Sequence, residues 1–168
     1  LGDGALTAGD GWTLQAVFTP GHMSNHMCFA LREEGVLFTG DHIMGWNTTV
    51  VSPPDGNMAE YMASLETCLA RDETTYRPAH GPSITEPIPF VEAYRDHRRR
   101  REHQILDCLE TGIESIAAMV ERIYRHIPPE MHPAAQRSVL AHLEHMVETG
   151  RVATEDGGAA ADSRYRVA

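Results

Sequence analysis

Lysine is absent from this 168-residue chain: all 14 basic side chains are arginine, set against 24 acidic ones and a net charge of −10. Non-specific nucleic-acid binding rests on neutralising phosphates, so a surface this acidic argues against it while leaving a local basic patch open. Aromatic residues are sparse at 7%, yet 42% of the residues are hydrophobic and several segments are periodic, which excludes a disordered chain. No apolar run approaches bilayer-spanning length and no secretory leader is visible, so no membrane partner is expected and the chain reads as cytoplasmic. Cys28, Cys68 and Cys108 are odd in number and lack a CxxC spacing. That excludes a disulfide scaffold and predicts buried free thiols. An initiator methionine is missing too: the chain opens on Leu1-Gly2-Asp3-Gly4 and reads as the C-terminal portion of something longer.

What is present is a threefold repetition of chemistry. Thr19-Pro20-Gly21-His22, Thr39-Gly40-Asp41-His42 and Pro78-Ala79-His80-Gly81-Pro82 each set a potential metal ligand just past an apolar run. Leu14 to Phe18 reads as a strand, with His22 on the turn that Pro20-Gly21 forces after it. Met27 to Leu31 runs back, Glu33-Glu34-Gly35 turns, and Val36 to Phe38 climbs again as a hairpin partner. Asp41 thereby reaches the same edge as His22. A helix over about residues 57–71 crosses over, and a strand around Thr75 to Arg77 returns parallel, bringing His80 to that edge.

Two imidazoles and a carboxylate are a ligand set for zinc and related divalent ions in catalytic sites. A carboxylate between histidine-bound ions can bridge them, which favours two metals and gives Asp41 a catalytic part as well as a ligand's. The neighbouring glycines let the backbone turn sharply beside an ion.

Downstream the pattern changes. One long helix is predicted over residues 87–111, apolar at both ends and charged from Arg95 to Glu102, which suits a connector. Ser115 caps a helix whose apolar face runs from Ile116 to Ile127 and which Pro128-Pro129 ends. A second helix spans about 134–149, with Gly150 as its stop, and 151–153 with 164–167 flank a hairpin wing. Helices followed by a hairpin make a winged helix, so residues 112–168 form a small domain after a first one over 1–86.

The three ligand segments resemble the later metal motifs of the metallo-β-lactamase superfamily, and the stretch from His80-Gly81-Pro82 through His97-Arg98 and Gln104-Ile105-Leu106 into a winged helix resembles its lactamase-β-like endoribonuclease branch. The resemblance implies half of an αββα sandwich in an α/β (α+β) chain, followed by the winged helix. It implies that His22 ligates a first zinc, Asp41 bridges two, and His80 ligates the second, with a metal-held hydroxide attacking an ester, thioester or phosphodiester. The superfamily's His-x-His-x-Asp-His signature is absent. Three ligands do not complete two catalytic zinc sites, so hydrolase activity is expected of the intact parent, and this chain by itself is expected to be metal-poor and inactive. Substrates of either kind, a small ester or thioester or single-stranded RNA, fit the ligand set, and a non-catalytic winged-helix interaction module is the competing class. A half sandwich also exposes apolar surface, which predicts dimerisation or aggregation.

The remaining polar residues have plainer readings. His26 is expected to orient the His22 loop, and His42 to point away from the metal. His97 and His103 are expected to be solvated, and His142 and His145 to be ordinary partly buried histidines lacking a third ligand. Arg98 to Arg101 fan around a helix and are expected to pair with Glu92, Asp96 and Glu102; a phosphate contact is the sharper alternative. The helix over 134–149 offers Arg137 beside Glu144 and Glu148, so sequence-specific DNA binding is not expected.

Overall fold

A computed structural model describes residues 1–155 and 157–168, grouped into two units, 1–50 with 55–96 and 51–54 with 97–168. The first unit is built on a five-stranded sheet in the order β1-β2-β3-β4-β5. Its strands are β1 (Leu6–Gly9), β2 (Trp12–Phe18), β3 (Met27–Leu31), β4 (Val36–Gly40) and β5 (Thr75–Pro78). The first four pair antiparallel, and β4 pairs parallel with β5 across the helix α1 (Met58–Leu69), as the crossover predicts. β1 is a strand that the sequence pattern does not announce. Asn57 caps α1 by accepting from Glu60 N–H at 2.9 Å.

The two faces of this sheet differ. Cys28, Ala30, Leu37 and Tyr76 are fully buried on the side that receives Tyr61, Leu65 and Cys68 of α1. On the other side, register pairs Phe29 with Phe38 and Phe18 with Met27, and Phe18 and Phe38 stay 43% and 39% exposed. One apolar face of an antiparallel sheet is ordinarily packed. This 168-residue chain is therefore expected to self-associate through that face in light scattering coupled to size exclusion, and the pair Phe18→Ser and Phe38→Ser to shift it towards monomer. A wild-type chain that elutes as a clean monomer at every concentration contradicts this.

The second unit contains the later part of α2 (Pro87–Glu110), then α3 (Ile116–Ile123), α4 (His132–Glu148), β6 (Val152–Thr154) and β7 (Tyr165–Val167). Three helices and an antiparallel hairpin make a winged helix, its core filled by Ile105, Met119, Val139, Leu143, Met146 and Tyr165. α3 stops at Ile123, short of Pro128: Tyr124 closes it with its N–H on the Val120 carbonyl, although the apolar spacing runs on to Ile127. All three cysteines are buried free thiols. Among the described residues no helix is long and apolar enough to cross a membrane.

The charged stretch of α2 departs from expectation. Arg95, just ahead of the four-arginine run, pairs with Glu92, Asp96 and Glu66. Arg98 is 3% exposed, and Arg101 stacks 4.0 Å over the Tyr124 ring. Burial, then Arg98, Arg101 and Arg100, push the half-buried His97 down to about 4, so it is not the solvated histidine expected. Glu102 turns away from the arginine run towards α4 and the wing. Its Oε1 lies 3.0 Å from His145 Nδ1 and 3.8 Å from the fully buried His142 Nδ1, while Oε2 accepts from Arg151 at 2.7 Å. Glu102 is thus the third group that His142 and His145 lack in sequence, and with Arg151 across it the cluster is an ion-pair network.

Candidate metal centre

β2, β4 and β5 all run in one direction, because β2 and β4 are each antiparallel to β3 and β5 is parallel to β4. The turns that follow them therefore lie at one sheet edge. Three local devices then fix those turns.

The first turn is clasped by α1. Gly21 sits at φ +123°, and a Cβ there would stand 2.2 Å from the Tyr61 nitrogen, so no other residue lets the turn lie flush on the helix. Asn57 N–H donates to the Gly21 carbonyl at 2.9 Å, and the Ser64 hydroxyl to the Pro20 carbonyl at 2.8 Å. His22 Nδ1 lies 2.7 Å from the Val50 carbonyl. A carbonyl only accepts, so Nδ1 carries the proton and a neutral ring keeps its lone pair on Nε2. This is how a ligating imidazole is normally oriented.

His26 steadies the same region. Its Nδ1 is 2.9 Å from the buried Thr19 Oγ1, which is also 3.2 Å from Cys28 Sγ. A hydrogen bond from the Cys68 thiol, opposed by burial, brings Cys28 down to about 6. Gly40, at φ +54°, has no side chain, and a Cβ there would stand 2.7 Å from His26 Nε2. The rings of His22 and His26 are 6.3 Å apart and edge-on.

The second and third turns meet. Ala79 N–H donates to the Gly40 carbonyl at 2.9 Å, tying the ends of β4 and β5. His80 Nε2 then stands 3.4 Å from Asp41 Oδ1. That oxygen is buried and has no hydrogen-bond partner among the described residues. The Asp41 backbone carbonyl accepts from the Thr49 hydroxyl at 2.7 Å. His42 is fully buried, its ring 4.9 Å from that of Tyr61, whose hydroxyl donates to the His42 carbonyl at 2.9 Å.

Of the three residues singled out from sequence, Asp41 and His80 come together, and His22 borders His26 at the same edge. Among the described residues, no group of three His, Cys, Asp or Glu side chains could by itself hold an ion. The supporting groups Val50, Tyr61 and Thr49 lie 8 to 28 positions from what they hold, and no local motif marks them.

Residues 1–80 match the metallo-β-lactamase superfamily, and residues 115–160 match the β-lactamase-associated winged helix domain. A β-lactamase-like protein 2 homolog of Drosophila melanogaster is 37% identical over 146 residues, covering 85% of this chain and 48% of that protein. An atrochrysone carboxyl ACP thioesterase of Aspergillus fumigatus is 34% identical over 141 residues, covering 77% and 44%. The chain thus spans about half the length of the curated relatives it matches. In fold, a metallo-β-lactamase family protein of Thermus thermophilus superposes with a TM-score of 0.84 at 24% identity, over 100% of this chain and 54% of that one. A β-lactamase domain protein of Burkholderia ambifaria gives 0.85 at 22% identity, over 100% and 52%. The chain belongs to the metallo-β-lactamase superfamily and carries its associated winged helix domain.

Proposed function

We propose that the protein containing this chain is a zinc-dependent hydrolase of carboxylic esters or thioesters, with His22, Asp41 and His80 among the ligands of a two-ion centre. The Asp41–His80 pair carries this reading. Two ligands each about 2.0–2.2 Å from one zinc, at the tetrahedral angle, stand about 3.4 Å apart. Asp41 Oδ1 and His80 Nε2 are separated by 3.4 Å without hydrogen bonding, and the oxygen is otherwise an unexplained buried acceptor. When bound, zinc supplies a Lewis acid and makes water nucleophilic near neutral pH. The chain's own part is to hold charge and lone pairs in place. The Val50 carbonyl fixes the tautomer of His22, the Gly40–Ala79 bond sets Asp41 against His80, and Asp41 would contribute negative charge to the bound metal.

The acyl substrate class is favoured over single-stranded RNA because the arginine run is broken up: Arg98 is buried and Arg101 is engaged by Tyr124. The thioesterase name of a relative leans the same way. An interaction module without catalysis leaves unaccounted for a buried Asp41 oxygen that makes no hydrogen bond among the described residues.

The deciding experiment uses the intact protein. Incubation with EDTA is expected to remove hydrolysis of an acyl thioester, and added zinc to restore it, with single-stranded RNA left uncut throughout. Turnover that persists after the metal is stripped, or cleavage of RNA in preference to thioester, overturns the proposal.

A further inference from the structure

Trp46 is 73% exposed, beside the candidate centre, on a segment that is anything but slack. Gly45 N–H donates to the His80 carbonyl at 2.8 Å. Gly45 and Gly81 interlock so closely that a Cβ on Gly81 would stand 2.8 Å from the Gly45 carbonyl carbon. From α2, the Tyr94 hydroxyl accepts from Met44 N–H at 3.1 Å and shares its own proton between the carbonyls of Met44, at 2.5 Å, and Asn47. The segment carrying Trp46 is thereby fastened on both sides, with the indole left in water.

A cleft of about 420 Å³ opens at this place, lined by Met44, Trp46, Asn47 and His80. Its size lies in the range of small-molecule sites. Among the described residues that line it, His80 is the one titratable group and none is an arginine. The Asn47 side-chain Oδ1 accepts from Thr48 N–H at 2.8 Å, which leaves its side-chain N–H₂ to donate. A large π face, a thioether and one amide donor beside a ligand histidine form a surface for a flat, uncharged group. Indole stacks offset on aromatic rings, and methionine sulfur packs against their edges. Phosphate-rich ligands find no cation in this wall, and the chain's charge of −10 repels them.

We infer that Met44, Trp46 and Asn47 form the subsite that receives a planar aromatic acyl group, placing its carbonyl next to His80. The inference rests on the hydrolase reading for its reaction, and on the cleft alone for its binding.

Two measurements on the intact protein separate the two. In the first, hydrolysis of a 2-naphthoyl thioester is compared with that of an acetyl thioester. Trp46→Ala is expected to lower the naphthoyl-to-acetyl ratio of kcat/KM at least tenfold, chiefly through KM for the naphthoyl ester, and Trp46→Phe to keep most of it. In the second, 2-naphthoate is titrated calorimetrically into metal-stripped protein, where no turnover is possible. Its affinity is expected to fall at least tenfold in Trp46→Ala, with adenosine monophosphate bound at least tenfold more weakly than naphthoate by the wild type. If naphthoate binding depends on Trp46 while no thioester is hydrolysed, the subsite stands and the hydrolase reading fails. If thioesters are hydrolysed but neither the ratio nor naphthoate binding responds to Trp46, the subsite is wrong and the hydrolase reading survives. Trp46-dependent binding of adenosine monophosphate in preference to naphthoate also overturns the inference.

Discussion

Asparagine in place of Asp41 is expected to cut thioester hydrolysis by the intact protein roughly a thousandfold, the scale on which loss of one fixed electrostatic contributor to the transition state is felt. The same substitution is expected to leave the thermal midpoint nearly unchanged. The reason is local. Asp41 holds the fold through its backbone carbonyl, which Thr49 engages, while its side-chain Oδ1 makes no hydrogen bond among the described residues. Asparagine keeps the shape and the backbone contact and removes only the charge. Zinc content, kcat/KM and the melting curve, measured on one preparation, give the answer. Full activity in Asp41→Asn would take Asp41 out of the centre, and a large drop in melting temperature would make it a structural residue instead.

Acidification from pH 7 to pH 4 is expected to cost the winged-helix unit about 3 kcal/mol through His142. Burial is the main cause holding this fully buried imidazole down at about 4, below the ordinary 6.5, with Arg98 and Arg101 adding to it and Glu102 opposing. At 3.8 Å, Glu102 is too distant to hydrogen-bond and reverse the effect of burial. The sign follows from which state takes the proton first. Below pH 6.5 the unfolded chain protonates at His142 while the folded one does not, so stability present at neutral pH drains away as pH falls from 6.5 towards 4.

Glu102 acts in the same direction lower on the scale. Burial would raise its carboxyl, but the nearby His142 together with the hydrogen bonds from His145 and Arg151 holds it well below the ordinary 4.5. Its contribution is lost as pH drops beneath that value. Urea denaturation followed by circular dichroism at pH 7, 6, 5 and 4 tests this, with His142→Leu expected to flatten the curve above pH 4.5. A wild-type curve already flat over that interval means that His142 is not held neutral.

Much of this was readable in the chain because the signals are short-range. The apolar run from Leu14 to Phe18, the Ser115 cap and the Gly150 stop act within one turn or one strand, and each element they announce is present. The three ligand turns were legible for the same reason, since each follows its own strand. β1 was not, because Leu6–Gly9 is four exposed residues whose strand character comes from pairing with β2. The apolar spacing runs past the end of α3 because Tyr124 and Ile127 continue it after the hydrogen-bond ladder has closed. The Glu102 cluster was out of reach for a different reason: its partners lie 43 and 49 positions away, and only the packing of α2 against α4 brings them together. Trp46 sits in a loop without periodicity, and its exposure is a property of the tertiary structure.

The way α1 clasps its neighbours bears on engineering. Its first turns grip the Pro20-Gly21 bend through Asn57 and Ser64 and the Asp41-His42 bend through Tyr61. A chimera that kept all three ligand motifs but borrowed its crossover helix from elsewhere would lose the common gauge that sets two of those bends. Transplanting this chemistry to a new scaffold means carrying residues 57–64 along with the ligands.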